Sequence, residues 1–107
     1  MVKVSFNKMV KLLNTPKRGD VVIRVFESSN KYLRSFLVIE DYISNGSIIH
    51  GRGIDLYDIK GKVNVGVGAE DVGFIIRSNM QMISLYLFRG SRLYYFEGDK
   101  YDKSRFD

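Results

Sequence analysis

The strongest constraint on the fold is the pattern that follows Pro16, the only proline of the chain. From there on, runs of β-branched and aromatic residues alternate with turn residues every few positions, which is typical of short antiparallel strands. The predicted strands cover residues 21–26, 32–43, 48–56, 63–67, 72–77, 81–88 and 92–97. Such a series predicts a mainly β fold, either a β-barrel or a bent antiparallel sheet.

The dipeptide Asn45-Gly46 marks the first of two predicted hairpins, because both residues accept the positive φ that a type I′ turn requires. With these two residues as the loop, Ile43 pairs with Ile48, and Asp41 pairs with His50. This register therefore predicts a carboxylate beside the only histidine of the chain.

The dipeptide Gly90-Ser91 marks the second predicted hairpin and suits a type II′ turn. Its register gives five cross-strand pairs, from the turn outwards: Arg89–Arg92, Phe88–Leu93, Leu87–Tyr94, Tyr86–Tyr95 and Leu85–Phe96. Both faces of this hairpin are apolar or aromatic, so we expect it to be central in the sheet or covered on both sides.

Before Pro16 the sequence predicts one amphipathic helix with Ser5 as its N-cap. Its apolar positions follow the spacing of a single helical face: Phe6, Met9, Val10 and Leu13. The alternation of Val2, Val4 and Phe6 favours a short strand instead, and a strand that passes into the helix accommodates both readings.

The whole chain, residues 1–107, is predicted to form a single domain. Within it we expect an N-terminal strand and helix in residues 1–15, the β-barrel in 17–97, and a charged C-terminal tail in 98–107. Ten glycines, several inside strands, fit the bulges and tight corners that closure of a barrel needs.

Composition excludes several chemistries. The chain has no cysteine and one histidine, so a disulfide framework, a thiolate zinc site and a multi-histidine metal site are excluded. We therefore expect no metal and no cofactor. No apolar run approaches the ~20 residues of a membrane span, and the N-terminus lacks the pattern of a secretory signal, so the expected location is the cytoplasm.

The charge of the chain is unevenly distributed. The formal net charge is +5, but residues 1–34 carry eight Lys/Arg against two Asp/Glu, whereas residues 35–75 carry three against six. A basic first third beside an acidic middle suggests a surface that attracts a polyanion. The alternative is that these lysines and arginines are solvated and serve solubility.

Aromatic and arginine side chains alternate in the second hairpin, a mixture with which nucleic-acid-binding barrels stack bases and neutralise phosphates. We therefore expect a non-enzymatic module that binds single-stranded DNA or RNA. The predicted contacts are Lys8, Lys11, Lys17, Arg18, Arg89, Arg92 and Tyr94. The alternatives are that these aromatics form the core, and that the chain is a protein-interaction or self-assembling module.

Candidates for catalysis are few. Asp41 placed beside His50 would orient the imidazole as a general base, although a structural histidine explains the same pairing. The motifs Gly51-Arg52-Gly53 and Gly66-Val67-Gly68 lack the helix that follows a phosphate-binding loop, so nucleotide binding is disfavoured. These observations favour a binding module over an enzyme.

Two stretches carry a resemblance to a known family. Residues 17–22, KRGDVV, followed by residues 34–39, RSFLVI, resemble the opening of the MazF/PemK toxin ribonuclease barrel, with Ser35 where that family has a proline. The resemblance implies an SH3-like barrel and, as a further alternative, RNA cleavage with Arg34 as the catalytic arginine. No clear threonine stands where the family's second catalytic residue is expected, since His50 falls in that region.

Overall fold

The structure is a computed structural model that describes residues 1–27, 33–59, 62–76 and 83–98. Its elements, in chain order, are β1 (Val2–Lys3), α1 (Phe6–Leu13), β2 (Val21–Glu27), β3 (Leu33–Asn45), β4 (Ile48–Ile59), β5 (Lys62–Ile75), β6 (Ile83–Arg89) and β7 (Arg92–Phe96). The predicted mainly β fold with one short N-terminal helix is confirmed. The connection between the predicted strands 21–26 and 32–43 lies outside the described residues at positions 28–31, as does the predicted tail beyond Gly98.

The strands form one mixed sheet in the order β1-β7-β6-β2-β3-β4-β5, in which only β1 and β7 run parallel. Within the described ranges the two edge strands do not meet, so the β-barrel alternative was wrong. β1 is only two residues long, and it offers too little backbone to pair with the fourteen-residue β5.

The sheet is strongly bent. The guanidinium carbon of Arg24 in β2 lies 5.5 Å from the ring centroid of Phe74 in β5, although β3 and β4 stand between these strands. A flat sheet would hold the two backbones ~14 Å apart. At Gly53 the backbones approach so closely that a Cβ would clash with the carbonyl oxygen of Val38. The bend therefore requires glycine at this position.

The N-terminal segment passes from strand into helix, as predicted. Ser5 is the N-cap, and its Oγ accepts a hydrogen bond of 3.2 Å from the amide of Lys8. The Phe6 ring packs edge-to-face on Phe96, with 5.4 Å between centroids, and Met9 and Leu13 are fully buried. The helix thus covers one face of the sheet, which we call the helix-side face.

The hydrophobic core lies between α1 and the helix-side face. It consists of Met9, Leu13, Val22, Leu37, Ile39, Tyr42, Ile49, Phe74, Ile76, Leu85 and Leu87. Burying one leucine or methionine side chain contributes about 1.5–3 kcal/mol, so these contacts hold the helix on the sheet.

The opposite face of the sheet is apolar as well, and we call it the open face. It presents the residues that alternate with the core positions: Val21, Ile23, Val25, Phe36, Val38, Ile54, Tyr86, Phe88, Leu93 and Tyr95. None of these side chains is buried by the described part of the chain. The expectation that the second hairpin is central in the sheet is therefore confirmed, because β6 and β7 each have a neighbouring strand on both sides. Among the described residues, only one face of this hairpin is covered.

The register of the second hairpin is confirmed at all five predicted pairs, from Arg89–Arg92 to Leu85–Phe96. Gly90 has a φ of +59°, and Ser91 is not among the residues with positive φ. One positive φ, at the first central residue, is what a type II′ turn requires.

The predicted register of the first hairpin was wrong. Asn45 pairs with Ile48 and Ile43 with His50, so the central turn residues are Gly46 and Ser47. Only Gly46 has a positive φ, +64°. The turn therefore places glycine first, as in the second hairpin, because glycine adopts this φ at lower cost than asparagine.

The break predicted between strands 63–67 and 72–77 is also absent, since β5 runs unbroken from Lys62 to Ile75. Its register against β4 shifts between Gly51 and Gly53 and again between Asp55 and Leu56. Unmatched residues at such bulges increase the local twist, which fits a sheet that bends over its own core.

Candidate functional site

A buried ion pair joins the two halves of the chain. Asp20 is 1% exposed and the Arg89 side chain 14%, with 2.8 Å between Arg89 Nη2 and Asp20 Oδ2. Arg89 Nε also donates to Asp20 Oδ1 at 3.1 Å. Nη2 donates further to the carbonyls of Leu12 and Thr15, at 3.0 and 3.1 Å. One guanidinium thus connects β6, the end of α1 and the loop before β2.

The electrostatics of the pair keep it ionised. Burial alone would raise the pKa of Asp20, but hydrogen bonds from Arg89 and from the Lys17 amide outweigh burial and hold this pKa below its ordinary value. Asp20 in turn raises the pKa of Arg89. Burial, followed by the Asp20 charge, raises the pKa of the neighbouring Tyr42 phenol to about 12.

Five exposed cations lie on the segments that this ion pair connects, and we call them the basic end: Lys8, Lys11, Lys17, Arg18 and Arg92. The Lys17 amide donates to Asp20 Oδ2 at 3.0 Å, and Arg92 is the register partner of Arg89. Lys11 directly precedes Leu12, whose carbonyl Arg89 binds. Residues 6–19 and 89–92 contain no aspartate or glutamate, so the segments that form the basic end carry positive charge alone.

Two of the predicted nucleic-acid contacts lie elsewhere. The Arg89 guanidinium is engaged inside the protein, and Tyr94 is partly buried against the core. The aromatic rings with exposed surface on the same hairpin, such as Phe88, stand on the open face. Because side chains alternate along a strand, the predicted mixture of rings and cations is divided between two faces.

The predicted pairing of Asp41 with His50 is absent. His50 Nδ1 lies 3.2 Å from Asp71 Oδ1, and Ile43 stands opposite His50 on β3. Asp41 occupies the register shift of β3, where its φ is +50°. The turn at Gly46-Ser47 therefore sets Ile43, not Asp41, opposite His50. The contact of His50 with Asp71 was missed by sequence reasoning, since no turn or spacing signal joined His50 to β5.

Arg34, the arginine singled out by the MazF/PemK resemblance, is exposed on β3. In register it stands opposite Glu27 of β2 and Asp58 of β4. Arg34 lies nine residues before Ile43, the partner of His50, on the same strand. Nine residues of extended strand have a length of ~30 Å. Arg34 and His50 therefore do not share one site.

The described residues contain no group of three histidine, cysteine, aspartate or glutamate side chains that could hold a metal ion. α1, at eight residues, is the only helix in these ranges and falls far short of the ~20 apolar residues that cross a bilayer.

Comparison of the chain with known proteins finds no match to a protein family, to a curated protein or to a solved structure. The resemblance to MazF/PemK ribonucleases thus rests on the two short stretches alone. The basic end is the strongest candidate site, because it combines exposed charge with a buried framework that fixes its backbone.

Proposed function

We propose that this chain binds single-stranded DNA or RNA through its basic end. The supporting observation is the Asp20–Arg89 ion pair, with the Arg89 contacts to Leu12 and Thr15. These bonds tie together the three segments that carry the exposed cations. A phosphate backbone that crosses this end would meet several positive charges, while Asp20, the carboxylate that Arg89 binds, is buried and neutralised.

Recognition at the basic end is electrostatic. Tyr94 packs against the core, so these cations have no exposed ring beside them on the hairpin for base stacking. Contacts to phosphates alone carry little sequence information and depend steeply on salt. If all five cations bind phosphates, the slope of log K against log salt is about −3.5, a loss of roughly 100-fold between 50 and 200 mM.

The test measures fluorescence anisotropy of a labelled single-stranded oligonucleotide against the purified chain over a series of salt concentrations. The triple variant Lys17→Gln/Arg18→Gln/Arg92→Gln removes three exposed charges from the basic end. We expect it to weaken binding at low salt at least tenfold and to reduce the salt slope by about 2.

The matched control is Arg52→Gln, which removes one exposed cation on the open face, where Arg52 pairs with Glu40. For a one-to-one comparison it is set against Arg92→Gln. If these two single variants lose equal affinity for the oligonucleotide, the binding depends on the net charge of the chain rather than on the basic end. Absence of binding by the wild-type chain at low salt would reject the proposal.

The alternatives receive different support. A ribonuclease site of the MazF/PemK kind gains none, because Arg34 and His50 stand ~30 Å apart along β3 and β4. A protein-interaction function is favoured by a separate observation: the open face, which the described residues leave uncovered, does not involve the basic end.

A further inference from the structure

The open face is a large apolar surface that no described part of the chain covers. Ile54 is 46% exposed and Phe88 40%, and no open-face side chain among the described residues reaches the burial of the core. Scattered apolar residues are normal on protein surfaces, but a contiguous apolar sheet face marks an interaction site. The rings of Tyr86 and Tyr95 already stack here, with centroids 4.8 Å apart. Such rings are enriched in protein interfaces.

The dimensions of this face suit a dimer. The five strands from β7 to β4 span about 24 Å across, and the seven residues of β2 extend about 23 Å. Measured along the strands, the face therefore covers roughly 550 Å², and its accessible area is larger because the side chains project from it. A stable interface of standard size buries about 800 Å² per partner.

The charges at the margins of the face are balanced. Lys3 and Glu97 form an ion pair of 3.0 Å at the β1–β7 margin, and Arg52 and Glu40 form one of 3.0 Å on β3 and β4. Each margin thus carries both signs. A two-fold arrangement of two copies can set cations opposite carboxylates whichever margins meet, whereas a nucleic acid gains nothing from a neutral face.

We propose that the open face is the interface of a homodimer in which the sheets of two copies stack face to face. Stacked sheets lie ~10 Å apart and interdigitate apolar side chains, as the open face offers on β6, β2, β3 and β4. Residues 99–107 are a poorer occupant by composition, since Tyr101 and Phe106 are their only large apolar residues among six charged ones. The second copy supplies the complementary apolar sheet.

The test is sedimentation equilibrium of the full chain from low to high micromolar concentration. The buffer contains about 1 M salt, because the Debye screening length is then only ~3 Å and interactions between exposed charges are largely suppressed. We expect the mass to rise from 12.3 kDa towards twice that value. Phe88→Glu places a charge in the open face and should keep the chain monomeric across the range.

Phe26→Glu is the matched control, because Phe26 is 37% exposed but stands on the helix-side face, opposite Ile83. It should dimerise as the wild type does. Circular dichroism of both variants establishes whether they fold. If Phe88→Glu does not fold, Ile54→Lys serves as the second open-face variant.

Three results would overturn the proposal. The first is a wild type that is monomeric at every concentration, and the second is dimerisation that survives both open-face substitutions. The third is a loss of dimerisation in the Phe26→Glu control as large as the loss in Phe88→Glu. A chain ending at Gly98 should dimerise like the full chain, and a gain in association on this truncation would assign the face to residues 99–107 instead. High salt abolishes phosphate binding, so this result is independent of the nucleic-acid test.

Discussion

The basic end and the open face meet at the β6–β7 hairpin, which contributes Arg92 to the first and Phe88 to the second, and they are stabilised in opposite ways. At the basic end the exposed side chains are cations, and a buried ion pair fixes the backbone beneath them. On the open face the exposed side chains are apolar, and the ion pairs are at the surface, where Arg52 is 71% exposed. The difference shows how alternation along β6 and β7 divides one sequence between an electrostatic and a hydrophobic surface.

The largest contrast is expected in stability. Asp20→Ala leaves Arg89, whose side chain is 14% exposed, without its carboxylate, and we expect the free energy of unfolding to fall by about 3 kcal/mol, the lower end of the range for buried pairs. Glu40→Ala breaks the exposed pair with Arg52 and should change it by less than ~1 kcal/mol. Urea unfolding followed by circular dichroism measures both values.

If Asp20→Ala and Glu40→Ala lose similar free energies of unfolding, the ion pair of the basic end is no more important for stability than the exposed pair of the open face. The salt dependence gives a second check, because screening weakens the exposed pair far more than the buried one. The stability of the Glu40→Ala variant should therefore approach that of the wild type at high salt, while Asp20→Ala remains less stable.

The second prediction concerns pH. The pKa of Asp20 is lower in the folded chain than its ordinary value of 3.8, so its ionisation stabilises the fold. This contribution is fully present above about pH 5 and is lost as the pH falls through the folded pKa. We compare melting temperatures of the wild type and Asp20→Asn from pH 7 to pH 3.

The difference between the two melting temperatures should be constant near neutral pH and should narrow below about pH 4, as the wild-type carboxyl takes up a proton. A difference that is the same at pH 3 as at pH 7 would contradict a carboxylate stabilised by Arg89. Glu40→Gln on the open face is the control, and its melting temperature is compared with that of the wild type over the same pH range.

Local signals in the sequence were enough for much of the fold. The helix was predicted from Ser5 and four apolar positions, and the β6–β7 register from Gly90-Ser91, because both depend on residues within one turn or hairpin. The β3–β4 register failed because Asn45-Gly46 and Gly46-Ser47 both suit a two-residue loop. Sequence alone does not decide between such overlapping turns.

The candidate site was predictable only in part. The exposed cations of the basic end follow from composition, but the partnership of Asp20 with Arg89 spans 69 positions and has no local signature. The strand register correctly set Arg89 beside Arg92 without indicating that one is largely buried and the other exposed. That difference arises from the packing of α1 against the sheet.

The bulge at Asp41 determines which of the following β3 side chains point to the core and which to the open face. The last prediction tests this role. After the bulge, Tyr42 points to the core, where Arg89 Nη2 lies 3.4 Å from its hydroxyl, while Ile43 is exposed on the opposite side. The φ of +50° at Asp41 is accessible to aspartate and glycine but disfavoured for β-branched residues. We therefore expect Asp41→Gly to remain within ~1 kcal/mol of the wild type, and Asp41→Val to lose about 1–2 kcal/mol.

Urea unfolding measures the stability of both variants, and the alkaline titration of Tyr42 reports whether its position is kept. In the wild type this phenol should ionise at about pH 12, as its pKa requires. A bulge retained in Asp41→Gly leaves that titration unchanged, whereas a regularised strand in Asp41→Val would move Tyr42 out of the core and lower its pKa. Because a shift of one residue exchanges the faces of a strand, such a change would also turn Ile43 away from the open face. Equal stability and equal titration in Asp41→Val would mean that the division between the two regions does not depend on the bulge.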